Sequence, residues 1–231
     1  MKDYRDKELK YLLCILVFLF LIWCTPLLQI NTTIKENSIY PIIVELVGSL
    51  LVSGTLSLSA FLFDCLIDSK IKDKLVGVFF IPRAGETIFK RIKDEKVKDD
   101  RFLIKDAQIK YGDILSELPD FKKSNYKKRK YYRKFQNSRW YKIYQKNQEK
   151  GQVFQSQKDY LLCRDIFVET LFFLLVYIIS VFLFADFILF SKKFVIVLVF
   201  IIIVSNIATH IKMNRFVNTV IAVDVATINK N

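Results

Sequence analysis

The sequence predicts an all-α integral membrane protein, with four transmembrane helices and a small basic helical cytosolic domain inserted between helices two and three. Three observations predict it. Apolar residues gather into separate runs of about 20, instead of alternating with polar ones at the periods of 2 or 3.6 that mark soluble strands and helices. Positive charge gathers between those runs: residues 122–150 hold twelve Lys or Arg against the single acid Glu149, a net +11 of the chain's +13. With six Gly and four Pro in 231 residues, the chain is also too poor in both to be a low-complexity or collagen-like sequence.

The first run, YLLCILVFLFLIWCTPLLQI, covers 11–30 and is long enough to cross a hydrocarbon core of about 30 Å. A secretory signal would have a shorter apolar region and a small-residue cleavage site after it, so a retained helix is expected. The second run, 40–66, carries a small-residue face: Gly48 and Gly54, with Ser49, Ser53 and Ser57 repeating every four positions. Helices in lipid pack by close backbone approach, so this stripe marks a helix–helix contact or a narrow pore wall. Glu45 shares the face with Gly48, Ser49 and Ser53, making a polar seam that either lines an ion pathway in an oligomer or is solvated near the interface.

The third and fourth runs, 166–190 and 194–212, are separated only by Ser191-Lys192-Lys193, which demands a tight antiparallel hairpin. Lipid offers no water to stray backbone groups, so all four runs are expected to be helical. Glu169, Asp186 and Asn206 are intramembrane polar residues. An ionisable group at the centre of a span costs of the order of 2.5–3.5 kcal/mol, so such groups face a bundle interior or water, or lie close to an interface. Arg164-Asp165 stands where the third run begins, as an interfacial anchor or as an ion pair to another part of the chain.

Orientation follows from the flanks. The N-terminal ten residues hold four Lys or Arg, the 31–39 loop only Lys35, and the segment after the second run is strongly basic. The positive-inside rule then places both termini and the middle region in the cytoplasm. The chain divides into 1–68 (helices one and two), 69–158 (the basic domain), 159–213 (helices three and four) and a cytosolic tail, 214–231.

Within the middle region, Ile104, Ala107, Tyr111, Ile114, Leu115 and Leu118 fall on one face of a helix capped by Asp99 or Asp100 and stopped before Pro119. A shorter helix over 87–98 would turn Ile88, Phe89 and Ile92 inward. Ser138 is a candidate cap for a helix through Lys146, interrupted by Gly151, and the chain from Gln155 should run without a break into the third span.

Chemistry-bearing motifs are sparse. The four cysteines form no CxxC and no Cys/His cluster, which argues against zinc sites and disulfide scaffolds. His210 is the single histidine, and there is neither a P-loop nor a GxGxxG. A non-enzymatic protein without cofactor or metal is therefore expected. The basic segment is the strongest candidate site: Lys127, Lys128, Arg129, Lys130, Arg133, Lys134 and Arg139 interleave with Tyr141 and Trp140. That composition suits anionic lipid headgroups, where each basic residue contributes about 1 kcal/mol. It also suits nucleotide or nucleic acid, through phosphate contacts and base stacking, but tethering close to a bilayer on both sides favours the lipid surface.

The run QNSRWYKIYQKNQEKGQVFQSQKDYLLCRDIF, 136–167, together with the four-span layout, resembles small four-span bacterial membrane proteins. The layout is similar to that of the membrane-disrupting effectors of bacterial anti-phage defence. The resemblance implies a homo-oligomer in the inner membrane that permeabilises it when the cytosolic domain receives a signal. The other expectation is a membrane-anchored adaptor that recruits a soluble protein partner or nucleic acid.

Overall fold

The computed structural model describes residues 2–24, 66–77, 83–119, 125–183 and 190–227, and every regular element among them is helical. These are α1 (Lys2–Cys24), α2 (Ser69–Val76), a 3-10 turn (Ala84–Glu86), α3 (Ile88–Lys93), α4 (Ile104–Lys110), α5 (Gly112–Ser116), α6 (Tyr126–Asn147), α7 (Gly151–Leu183) and α8 (Lys192–Val225). α7 and α8 are long and apolar enough to cross a membrane. The described apolar part of α1 is Leu9–Cys24, and the remainder of the expected first span, 25–30, lies outside the described residues. The expected second span lies almost wholly outside them, so two helices of spanning length stand among the described residues, where the sequence predicts four spans.

The chain forms two compact units: Met1–Val76 with Leu162–Ile207, and Gly77–Leu161 with Ala208–Asn231. In the first, α1, α7 and α8 close around Leu16, Val17, Phe20, Cys24, Phe173, Tyr177, Phe194 and Leu198. Phe20, Tyr177 and Phe194 meet edge to face, with centroids 5.0–6.0 Å apart. This arrangement adds about 0.5–1.5 kcal/mol per pair beyond the area buried. The Tyr177 hydroxyl accepts the Ser191 N–H at 2.8 Å, tying the start of α8 back onto α7. The opposite faces are apolar and exposed: Ile15 and Phe18 on α1, Ile179 and Phe182 on α7, Ile196, Phe200, Ile203 and Ile207 on α8.

The second unit has an interior of the ordinary soluble kind. Ile88, Phe89 and Ile92 of α3 are fully buried, as the short predicted helix requires, and pack with Ala107, Tyr111, Leu115, Leu118, Trp140 and Val153. The predicted 99–118 helix is two: Tyr111 closes α4, and α5 starts at Gly112. Of its six inward residues, Ala107, Tyr111, Leu115 and Leu118 are buried, and Ile104 and Ile114 are half-buried. The expected Asp99 cap is replaced by Leu103 at the N-cap position, since the Asp99 carboxylate is taken up by the backbone N–H and guanidinium of Arg101.

Two boundaries differ further. α6 runs unbroken through Ser138, because every residue from Tyr126 to Asn147 tolerates a helix and its inward face continues across that position. The fourth helix does not stop at Lys212 but continues to Val225, so most of the expected tail is a core helix. Lys212, Asn214 and Arg215 interrupt the apolar run, but apolar residues resume at Phe216, Val217, Val220, Ile221 and Val225, all buried. That spacing draws one helical face.

Candidate functional site

α6 is the basic segment of the sequence made rigid, and it has two unlike sides. Gln136, Trp140 and Asn147, with the half-buried Tyr132 and Ile143, repeat at intervals of three and four and face the unit's interior. Trp140 stacks on Tyr144 at 5.7 Å and meets Phe216 edge-on at 5.4 Å. The 3-10 turn approaches closely here: a Cβ added at Gly85 would lie 2.8 Å from Asn137 Oδ1 and 3.1 Å from Trp140 Cε3. A side chain there would require Asn137 to swing aside and the Trp140 ring to give way. Trp140, expected as part of an anion-facing surface, is thus 8% exposed and a core residue, whereas its neighbour Tyr141 is 49% exposed.

The remaining predicted surface residues divide. Lys127, Lys128, Lys130, Lys134 and Tyr141 are exposed. Arg139 lies 4.0 Å from Glu117 and 5.2 Å from the centroid of the Phe135 ring, so it is already engaged. Arg129 and Arg133, one turn apart and exposed as well, line an open pocket of about 140 Å³ with Glu86, Thr87, Lys90 and Gln136. Gln136, at 1% exposure, accepts the Lys90 backbone N–H on Oε1 at 2.9 Å. Lys90, Thr87 and Gln136 carry no sequence signal of their own. The signal that would have found them is the spacing of Arg129, Arg133 and Gln136 along one helix face.

Asp224, in the expected tail, organises the far side of the same unit. Its carboxylate accepts from Tyr111 at 2.7 Å and Asn147 at 2.9 Å and pairs with Lys110 at 3.0 Å, while its backbone carbonyl also accepts from Lys110. Burial pushes the carboxyl pKa up, but the hydrogen bonds from Asn147, Tyr111 and Lys110 outweigh it and hold the group below its ordinary value. The Tyr111 phenol is raised by the same burial, reinforced by the Asp224 charge. Asp99 is lowered chiefly by its hydrogen bonds to Arg101, against the opposing effect of burial.

The first unit buries an ionic cluster. Asp165, fully buried, pairs with Arg164 at 3.0 Å and Lys72 at 3.8 Å, and Arg164 reaches Asp73 at 3.0 Å. Arg164-Asp165 is therefore an ion pair to α2. Glu169 on α7 and Asn206 on α8, two of the predicted intramembrane polar residues, are buried on their helices. Glu45, Gly48, Ser49, Ser53, Ser57 and Asp186 lie outside the described residues. Among the described residues no group of three His, Cys, Asp or Glu side chains could hold a metal ion.

No protein-family model, curated protein or solved structure matches the chain.

Proposed function

We propose that the chain is a multi-pass homo-oligomer of the bacterial inner membrane, with its termini and basic unit in the cytoplasm. On this reading it is a non-enzymatic, defence-type effector that permeabilises the membrane when the basic unit receives a signal. The observation that carries it is the exposed apolar surface of α1, α7 and α8 around an aromatic core, with Phe182 82% exposed. In water such a surface costs about 25 cal/mol per Å², whereas lipid tails are as apolar as the side chains themselves. Residues 40–66 supply the further span and, through Glu45, Gly48, Ser49, Ser53 and Ser57, the seam that assembles and opens. α7 and α8 each lend residues to both units, so repacking in one is coupled covalently to the other.

Two experiments test this. In a cysteine-free chain carrying Lys130→Cys, a membrane-impermeant maleimide should label intact spheroplasts only after lysis; labelling without lysis overturns the orientation. Overproduction in bacteria should collapse the membrane potential when the trigger is present, and Glu45→Leu or Ser53→Phe should restore it. An intact potential under all triggers, with the wild-type chain inserted and oligomeric, overturns the effector reading.

A second reading, an adaptor that recruits a soluble partner, anionic lipid or nucleic acid, is favoured by one observation: Lys127, Lys130, Lys134, Tyr131 and Tyr141 are all exposed on α6. Replacing the apolar helices by unrelated ones preserves function in an adaptor and abolishes it in an effector.

A further inference from the structure

We propose that the outward face of α6, carrying Lys127, Lys130, Tyr131, Lys134, Tyr141 and Lys142, docks on the anionic lipid headgroups of the membrane that the same chain enters. The inference rests on the proposed membrane placement, with the basic unit in the cytoplasm, and deepens it by committing that unit's surface to one partner. Geometry selects the residues. At 3.6 residues per turn, all six lie within about a quarter-turn of the direction opposite the buried Gln136, Trp140 and Asn147. All six are exposed.

Charge supplies the attraction. α6 holds nine Lys or Arg and no acid in its 22 residues. Exposed helices in water ordinarily mix the two signs, because like charges three or four positions apart repel one another. Lys127 and Lys130 are such neighbours, and so are Lys130 and Lys134; among the described residues none of the four outward lysines forms an ion pair. The first turn, where the helix dipole favours acids, has none. A layer of anionic headgroups relieves the repulsion and the dipole together.

Residue type separates lipid from nucleic acid. The outward cations are all lysines, whereas Arg139 lies against Glu117, and Arg129 and Arg133 sit beside the 3-10 turn. Lysine is a compact point charge suited to a fluid surface without fixed geometry; arginine's planar fork is the better match to nucleic-acid phosphates. Tyr131 and Tyr141 are ten positions apart, about 15 Å along the axis, against about 3.4 Å between stacked bases, so they cannot grip successive bases. Each is braced by a neighbour instead, Tyr132 at 5.2 Å and Tyr144 at 5.7 Å. Tyrosine prefers headgroup depth, and the exposed large apolar side chains of α6 are tyrosines only, so the contact stays above the hydrocarbon core. Proximity favours lipid as well: only Gln148, Glu149 and Lys150 separate α6 from α7, which is long and apolar enough to cross a bilayer. The face is thereby held near one lipid surface at high effective concentration.

The test uses the full, cysteine-free chain carrying Ser138→Cys with a nitroxide label, at an exposed position in the middle of this face. It is reconstituted in nanodiscs of phosphatidylcholine, alone or with about 30% phosphatidylserine. Phosphatidylserine should lower the label's accessibility to a water-soluble nickel chelate at least about threefold in about 0.1 M KCl. Raising KCl to about 1 M should reverse the effect, as the screening length falls from about 10 Å to about 3 Å. Lys127→Gln, Lys130→Gln and Lys134→Gln each weaken docking about fivefold, so the triple variant should lose the protection. Lys96→Gln, Lys98→Gln and Lys105→Gln together remove the same charge from other exposed positions of the unit and should leave it intact. Unaltered helical circular dichroism establishes that both variants fold. Equal loss in the two triple variants assigns the effect to net charge and overturns the site. Protection by a single-stranded oligonucleotide in phosphatidylcholine discs that exceeds the phosphatidylserine effect gives the face to nucleic acid and overturns lipid docking. An inserted chain whose label ignores phosphatidylserine overturns the inference alone. A chain that stays in solution without detergent overturns the membrane reading and the inference with it.

Discussion

Tyr111 donates a 2.7 Å hydrogen bond to the carboxylate of Asp224, 113 residues further along the chain. The contact ties the end of α4 to the end of α8, and Lys110 and Asn147 converge on the same acid, so four side chains from three helices share one charge. A group so placed holds its unit together, and its removal should be felt as a whole.

Asp224→Ala should destabilise the basic unit by about 2–3 kcal/mol, because Lys110 and Tyr111 lose a charged partner. Tyr111→Phe should cost only about 1 kcal/mol, a single hydrogen bond. The double variant should cost less than the sum, since both remove the same bond. Urea denaturation of the detergent-solubilised chain, followed by circular dichroism, measures all three.

Acid should unfold the same unit. Asp224 and Asp99 both have folded pKa values below the ordinary 3.8, so the unfolded chain binds more protons in that range and stability rises with pH there. Their contribution is fully present above about pH 4 to 5 and is lost as pH falls through the folded values. The melting temperature should drop steeply below about pH 4 in the wild-type chain and less steeply in Asp224→Asn combined with Asp99→Asn.

Trp140 and Tyr141, adjacent in the sequence, should behave oppositely. Trp140→Ala removes a ring packed against Tyr144 and Phe216 and should cost about 3–5 kcal/mol. Tyr141→Ala should change stability by less than about 0.5 kcal/mol, its ring being half in solvent. Equal losses would mean that α6 presents a different face to its unit.

Gly85→Ala should destabilise by about 1–3 kcal/mol, the usual cost of overpacking. The new methyl meets Asn137, which can swing away, and the Trp140 ring, which is held by its neighbours and cannot. A shifted Trp140 fluorescence maximum should accompany the loss.

Asp165→Ala should cost about 3–5 kcal/mol in the first unit, because it leaves Arg164 and Lys72 buried without their shared acid. Replacing Arg164 as well, by Leu, should recover part of that loss. Thermal melts in detergent separate the two outcomes.

Period and block structure in the sequence determined a good deal. Apolar runs of spanning length are readable because burial in lipid needs only length and composition, and α7 and α8 meet both tests. The inward set Ile88, Phe89, Ile92, Ala107, Tyr111 and Leu115 is readable because a helix repeats every 3.6 residues whatever it packs against. Charge density marked out α6 for the same local reason. What tertiary structure alone decided is which side of α6, and of the end of α8, faces what. Trp140 and Arg133 look alike in a basic–aromatic run, yet the approach of Gly85 buries the first and the 3-10 turn builds an open pocket before the second. Residues 214–225 look like a polar-flanked tail until the core of α3, α4 and α6 gives Phe216 and Val220 a surface to cover. Contacts such as Tyr111–Asp224 and Lys72–Asp165 join positions far apart in the chain, and no local pattern encodes a distance that only the folded backbone closes.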